Sequence, residues 1–198
     1  MGLEKQGAKP SGILGLVVGR LMNKVHTSLY MQYFKNNPPA HNSIILDIGC
    51  GGGKFIHFLS KFDNSLQLYG LDHSDEMIFL SKKTNKKAIG NKQVKILKGS
   101  VINIPVESSA VNLVTAFETI QFWPHIPSAF KEVARVLKKG GEFIIINRFP
   151  PEGSKWWKIA NLKSAKEYSL MLEQTDFTNI SFDLTYKKGW IIAKGYKL

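Results

Sequence analysis

Ile44-Ile45-Leu46-Asp47-Ile48-Gly49-Cys50-Gly51-Gly52-Gly53 is a short apolar run that meets an acid and then a cluster of glycines. Such a run, bounded by glycine, reads as a buried strand, here Ile44 to Leu46, that stops at Asp47 and turns tightly. Gly49, Gly51 and Gly53 fall at alternate positions. A missing Cβ there permits positive φ and lets a ligand come up to the backbone. In an open α/β sheet, ligands bind beyond the carboxyl ends of the strands, where this turn would lie.

The spacing narrows the ligand. A dinucleotide fingerprint needs Gly-x-Gly-x-x-Gly, and counting from Gly49 its third glycine would fall on Lys54. The pattern present is Asp-x-Gly-x-Gly-x-Gly, from Asp47 through Gly53. A carboxylate built into the turn suits a ligand that carries an ammonium group and no phosphate. The turn resembles motif I of the class I S-adenosylmethionine-dependent methyltransferases, whose cofactor has both properties. The resemblance implies S-adenosyl-L-methionine as cofactor, with Asp47, Gly49, Cys50, Gly51 and Gly53 around it.

The chain that follows supplies the partners of such a turn. Lys54 to Phe62 is expected as a helix and Leu66 to Leu71 as a second strand, ending at Asp72. A doubly wound sheet places an acid about 20 residues or a little more beyond the glycine turn on ribose hydroxyls. Two carboxylate oxygens match two vicinal hydroxyl donors. Asp72 and its neighbour His73 are therefore cofactor-binding candidates; in the other reading Asp72 caps the next helix, a task open equally to Ser74 and Asp75. Ser74 to Ala88 reads as a helix and Val94 to Leu97 as a third strand, followed by Gly99, Ser100 and Val101. Many methyltransferases carry an acid after this glycine to receive the adenine amino group. Here the Ser100 hydroxyl or the Val101 backbone would stand in for it. Ile104-Pro105 resembles the Leu-Pro-Phe turn of relatives.

Val111 to Phe117 is a fourth buried strand, and Glu118 through Pro124 follow at its carboxyl end, where substrate chemistry is expected. Glu118 would bind a cofactor cation, orient an acceptor, act as a base or simply serve as a structural acid. Phe122 and Trp123 either line an acceptor pocket or seal the core. Ser128 to Leu137 is expected as an amphipathic helix ended by Lys138-Lys139-Gly140-Gly141, with Phe143 to Ile146 as the fifth strand. The run from Ala129 to Gly141 is similar to the corresponding helix and turn of small-molecule methyltransferases of the ubiquinone/menaquinone-biosynthesis type, and the resemblance covers residues 40 to 148. Beyond it, Lys163 to Gln174 reads as a helix and Asp176-Phe177 stands where relatives have Gly-Phe. Ile180 to Tyr186 and Trp190 to Lys194 read as an antiparallel strand pair. The implied fold is α/β, a Rossmann-like seven-stranded mostly parallel sheet in the order 3-2-1-4-5-7-6 with helices on both faces.

Composition agrees with one domain: 198 residues, 43% hydrophobic and 11% aromatic. The single cysteine, Cys50, excludes a disulfide scaffold and a cysteine-rich metal site and suits a reducing cytoplasm, so no metal is expected. Apolar residues recur at helical spacing between Gly12 and Phe34, interrupted by Arg20, Asn23 and Lys24, too short a stretch to span a bilayer. Residues 1–40 are thus expected as a helical segment over the cofactor cleft and 41–198 as the methyltransferase domain, with peripheral membrane contact the other use of that segment. Residues 149–161, including Trp156 and Trp157, would help to roof the pocket.

The net charge of +12 is almost all lysine, with arginine only at 20, 135 and 148. A solvated face is favoured over a nucleic-acid patch for the densest cluster, Lys82, Lys83, Lys86 and Lys87. The expected reaction is methyl transfer to a small-molecule acceptor, with His26, His125, Tyr30 and Glu118 as candidate helpers in proton removal. The Asn/Asp-Pro-Pro-aromatic motif of exocyclic-amine nucleic-acid methyltransferases does not follow the fourth strand, which disfavours a nucleic-acid acceptor. An RNA, lipid or quinone acceptor, or a non-catalytic cofactor-binding scaffold or sensor, are the alternatives. No residue pattern specifies an oligomeric state.

Overall fold

Predominantly apolar runs such as Ile44–Ile48 and Val111–Phe117 become buried strands, and half-apolar runs become helices. The computed structural model describes residues 27–198, so the expected helical run before Thr27, and His26 with it, lies outside the described residues. The chain divides into two compact units, Met1–Ser100 and Val101–Leu198.

In the first unit, α1 (Thr27–Asn36) precedes β1 (Ile44–Ile48), α2 (Lys54–Phe62), β2 (Gln67–Asp72), α3 (Asp75–Thr84), α4 (Lys86–Gly90) and β3 (Val94–Lys98). β1 pairs in parallel with β2, Asp47 opposite Gly70, and β2 in parallel with β3. Ile45, Leu46, Asp47 and Ile48 are buried one after another, so β1 is covered on both faces, as a parallel strand requires. α2 turns Phe55, Ile56, Leu59 and Ser60 inward. α1 docks on it through Phe34, whose ring lies 5.0 Å from that of Phe55. The helix expected over 74–88 is two helices. Asn85 interrupts it because its buried side-chain amide donates to Ser81 O and to Gly53 O, both at 3.0 Å.

In the second unit come β4 (Val111–Phe117), a 3-10 turn (Ile120–Phe122), α5 (Ile126–Val136), β5 (Leu137–Arg148), α6 (Lys155–Ile159), α7 (Ala165–Glu173), β6 (Phe177–Asp183) and β7 (Trp190–Lys197). β4 and β5 are parallel; β7 runs antiparallel to both β5 and β6. The run Lys138-Lys139-Gly140-Gly141 does not close α5 as a loop. It is the bulged start of β5: the register jumps from Val111↔Leu137 to Leu113↔Glu142, and Gly140 takes φ 73° to make the bulge. α5 begins at Ile126, earlier than the apolar pattern suggests, because His125 caps it. Its Nδ1 accepts the Ser128 N–H at 3.2 Å. β6 also begins early, at Phe177, and ends at Asp183, whose carboxylate folds the next turn by accepting from Thr185 and Tyr186.

Trp123 settles one open reading. Its ring stacks on Phe143 at 6.4 Å and meets Phe130 edge-on at 5.9 Å, so it seals the core; Phe122 beside it is half-buried. Among the described residues the sheet has seven strands in the order β3-β2-β1-β4-β5-β7-β6, the order that the resemblance implies. Among the described residues, no helix is long and apolar enough to cross a membrane.

Candidate cofactor-binding site

In the first unit the site is built on the seam between β1 and β2. As β1 ends, the chain turns back over the end of β2, and β2 holds it there through the backbone. Leu71 O accepts from Gly49 N at 2.8 Å and from Cys50 N at 3.0 Å, and Asp72 Oδ2 accepts from Gly51 N at 2.9 Å. Gly53 N then donates to Cys50 O at 3.0 Å. A pyrophosphate cradle needs backbone N–H groups aimed at the ligand. Here four of the turn's amides are spent on the protein itself, and a carboxylate stands beside them. The turn is unsuited to a phosphate for this reason as well as for its spacing.

Two glycines do different work. Gly51, at φ 51°, has nothing within 4 Å of where a Cβ would stand, so its open side faces free space that a ligand can fill. Gly53, at φ 73°, faces the opposite demand: a Cβ would run into Ser81 Oγ and Asn85 Nδ2 of the neighbouring helix segment. It performs the close helix packing that the third glycine of a dinucleotide turn performs, one position earlier.

Asp72 is buried at the carboxyl end of β2, with Oδ1 accepting the Ser74 N–H at 3.0 Å and Oδ2 the Gly51 N–H. The cap of α3 is Ser74, whose hydroxyl accepts the Met77 N–H. Asp72 is therefore not that helix's cap. Each of its oxygens has a second lone pair, so the carboxylate is oriented by backbone donors and retains capacity for two hydroxyls. His73 is half-exposed with Nδ1 3.8 Å from Asp72 Oδ1. Asp47 is buried within the last two residues of β1. The Cys50 thiol points the other way, into the core near Ser81 Oγ at 3.9 Å. Burial, then the charges of Asp72 and Asp47, push that thiol well above its ordinary pKa, so it stays a neutral packing group. Ser100, half-buried, ends this unit. Tyr30 is buried on α1, on the same helix as Phe34.

The second unit carries the remaining candidates. Val101 is buried at its start. Glu118 follows β4 at φ 51°, buried, with Oε1 accepting Arg148 Nε at 2.6 Å, its carbonyl accepting Gln121 Nε2 at 2.6 Å, and its amide donating to Ile146 O at 3.0 Å. The Arg148 guanidinium also lies 5.7 Å from the centre of the Trp190 ring. His125 is exposed and its Nδ1 serves the cap of α5. Ile104-Pro105 sits in a loop clamped by α5. Ile104 N donates to Glu132 Oε2 at 2.9 Å, while Arg135 donates to Ile104 O and Val106 O, both at 2.9 Å. Arg135 also pairs with Glu132 at 2.7 Å and holds that carboxyl below its usual range. Lys163 Nζ lies 4.4 Å from the centre of the Trp157 ring.

Arg148, Glu132 and Asn85 escape a reading of sequence alone. Their partners lie about thirty positions away, a separation that no local pattern encodes.

Comparison with known proteins bears on the same stretch. The family described as "Methyltransferase domain" matches residues 46–145, just over half of the chain. The chain belongs to this methyltransferase family. A demethylmenaquinone methyltransferase of Lactococcus lactis is 32% identical over 108 residues, which cover 54% of this chain and 42% of that protein. Among solved structures, a putative methyltransferase in complex with the Haloferax volcanii Trm112 activator superposes with TM-score 0.77 at 17% identity, covering 90% of this chain and 92% of that one. A geranyl diphosphate C-methyltransferase from Streptomyces coelicolor, solved with S-adenosyl-L-homocysteine, gives 0.73 at 15% identity over 86% and 79%. The fold of this methyltransferase family is thus the one seen here. The chain spans only about a third to two-fifths of the length of the first curated relatives it matches.

Proposed function

We propose that the chain transfers a methyl group from S-adenosyl-L-methionine to a small-molecule acceptor. The observation that carries this reading is Asp72, a buried carboxylate oriented by the Gly51 and Ser74 amides beside a glycine turn whose own amides are already committed. That arrangement accepts a diol and rejects a phosphate. Acceptor chemistry is supported by the demethylmenaquinone and geranyl diphosphate methyltransferases, both of which are named for small molecules.

When bound, the cofactor supplies an electrophilic methyl group on a sulfonium sulfur. Asp72 accepts the ribose hydroxyls, with His73 at its edge; Asp47 offers negative charge to the ammonium; Gly49, Cys50, Gly51 and Gly53 shape the backbone against which the cofactor lies. Ser100 and Val101 serve the adenine. Glu118, tied to Arg148, orients rather than removes protons. His125, whose Nδ1 serves the α5 cap, stands with Tyr30 and His26 as a candidate helper in proton removal. The assignments of 1–40 as a segment over the cleft, of Trp156 and Trp157 as lid residues and of a cytoplasmic site of action belong to the same proposal.

Titration calorimetry of the full chain with S-adenosylmethionine tests the cofactor. Hydrogen bonds to a charged group contribute about 1.5–3 kcal/mol each, so Asp72→Ala should weaken binding by at least about tenfold. Asp72→Asn, which keeps the shape and one acceptor, should fall between. No binding by the unaltered chain would sink the reading. Transfer of labelled methyl from the cofactor into a cell extract, fractionated into metabolites, lipid, RNA and protein, identifies the acceptor, and label confined to RNA or protein would overturn the small-molecule assignment.

A further inference from the structure

We propose that the exposed face of α3 and α4 docks on the surface of an anionic lipid bilayer. α3 buries Met77, Ile78, Leu80 and Ser81 but turns Phe79 outward, 62% exposed. Lys82 and Lys83 lie three and four residues on and are exposed with it, so they share its helical face. Lys86 and Lys87 of α4 are exposed as well, and Lys92 and Lys95 continue the basic surface onto β3 and the turn before it. The acids of α3 stand at its amino end, where Asp75 is paired with Lys98 at 2.6 Å and Glu76 accepts the Ser74 hydroxyl at 2.9 Å. The carboxyl-terminal half of α3 and all of α4 are without acidic residues.

An aromatic ring surrounded by ammonium groups matches a bilayer surface in both of its parts. The ring enters the boundary between headgroups and acyl chains, while the long lysine stems let each charge sit among lipid phosphates. The composition favours lipid over RNA. Sequence-specific or phosphate-specific RNA contacts draw on the planar fork of arginine and on successive stacking aromatics. This face has no arginine and one exposed ring. A fluid field of lipid phosphates asks for charge density instead of fixed geometry, and lysine supplies it. The inference stands apart from the cofactor reading, since α3 and α4 present this face whatever the glycine turn binds.

Flotation of the full chain with vesicles tests it. The unaltered protein should float with phosphatidylcholine vesicles containing about one-third phosphatidylglycerol and not with phosphatidylcholine alone, and the binding should fade as salt is raised. The joint variant Lys82→Glu, Lys83→Glu, Lys86→Glu and Lys87→Glu should lose at least about tenfold in affinity, with unchanged circular dichroism. Phe79→Ala, which keeps the charge, should lose several-fold. Phe79→Trp should give a blue-shifted fluorescence on adding the anionic vesicles only. Failure of the unaltered chain to float, or flotation that survives the fourfold charge reversal, overturns the proposal, the latter assigning the contact to another segment. RNA binding lost in the same fourfold variant, without flotation, assigns the face to nucleic acid and also overturns it.

Discussion

Glu118 occupies a backbone conformation, φ 51°, that costs a residue with a side chain roughly 1–2 kcal/mol. It persists because three contacts converge on it: the Arg148 guanidinium on its carboxylate, Gln121 on its carbonyl and Ile146 on its amide. Its ion pair is half-hidden, with the carboxylate buried and the guanidinium about one-third exposed, so its strength lies between that of a surface pair and a buried one. Glu118→Gln and Arg148→Met should each lower stability by about 1–3 kcal/mol in urea denaturation, with the double variant costing clearly less than the sum of the singles. Additive losses would mean that the two side chains do not act together. The sequence marks Glu118 by its place after an apolar strand, but Arg148 lies thirty positions on. Only the pairing of β4 with β5, which sets Phe117 opposite Ile146, brings the two side chains to one end of the sheet.

Elements were legible where one force dominated. α2 and β4 match their expected bounds because apolar periodicity and a flanking glycine or acid agree there. The helix over 74–88 divides and the Lys138–Gly141 stop becomes strand because distant partners compete: Asn85 is claimed by Gly53 O, and the bulge is claimed by β4. The Ile104-Pro105 turn likewise answers to a distant element, since Glu132 and Arg135 of α5 hold it by its backbone. The link from α7 to β6 shows the converse case. Asp176 stands at φ 66°, a conformation glycine takes without strain, and its side chain is exposed. Asp176→Gly relieves the backbone strain but adds freedom to the unfolded chain, and the first effect is the larger at this φ. The substitution should therefore raise stability by about 0.5–1 kcal/mol, read as a higher urea midpoint with unchanged slope. A lower midpoint would show that the aspartate side chain supports the turn.

Across the whole molecule, ionisation sets a stability window whose two edges come from different groups. On the acid side, Asp63 is held below its usual range mainly by the Ser65 amide, Asp183 by Thr185, and Glu132 by Arg135. A carboxyl depressed in the folded state adds stability above its unfolded pKa and loses it as pH falls through the folded one. His57 is lowered by burial and then by Lys61 and Lys54, so it too favours folding above the ordinary histidine pKa and opposes it below. The decline should thus begin gently under about pH 6.5 and steepen under about pH 4. Loss of the carboxylate charges there leaves 27 lysines and arginines uncompensated, which adds self-repulsion. On the alkaline side, burial raises both the Cys50 thiol and the Tyr168 phenol. A raised acid stays protonated in the fold while the unfolded chain ionises, so stability is full below the unfolded pKa and drains away as pH rises past about 8.5 for the thiol and about 10 for the phenol. Neither Tyr168 Oη nor Asn147 Oδ1 has a partner with hydrogen-bonding geometry. Tyr168→Phe therefore removes an ionisable group without breaking a bond and should be neutral or stabilising at pH 7. Thermal unfolding followed from pH 3 to 11 should show a plateau near pH 7–8.5, with Cys50→Ala and Tyr168→Phe together flattening its alkaline edge. An alkaline edge left unchanged by both substitutions would assign it instead to lysine deprotonation across the basic surface.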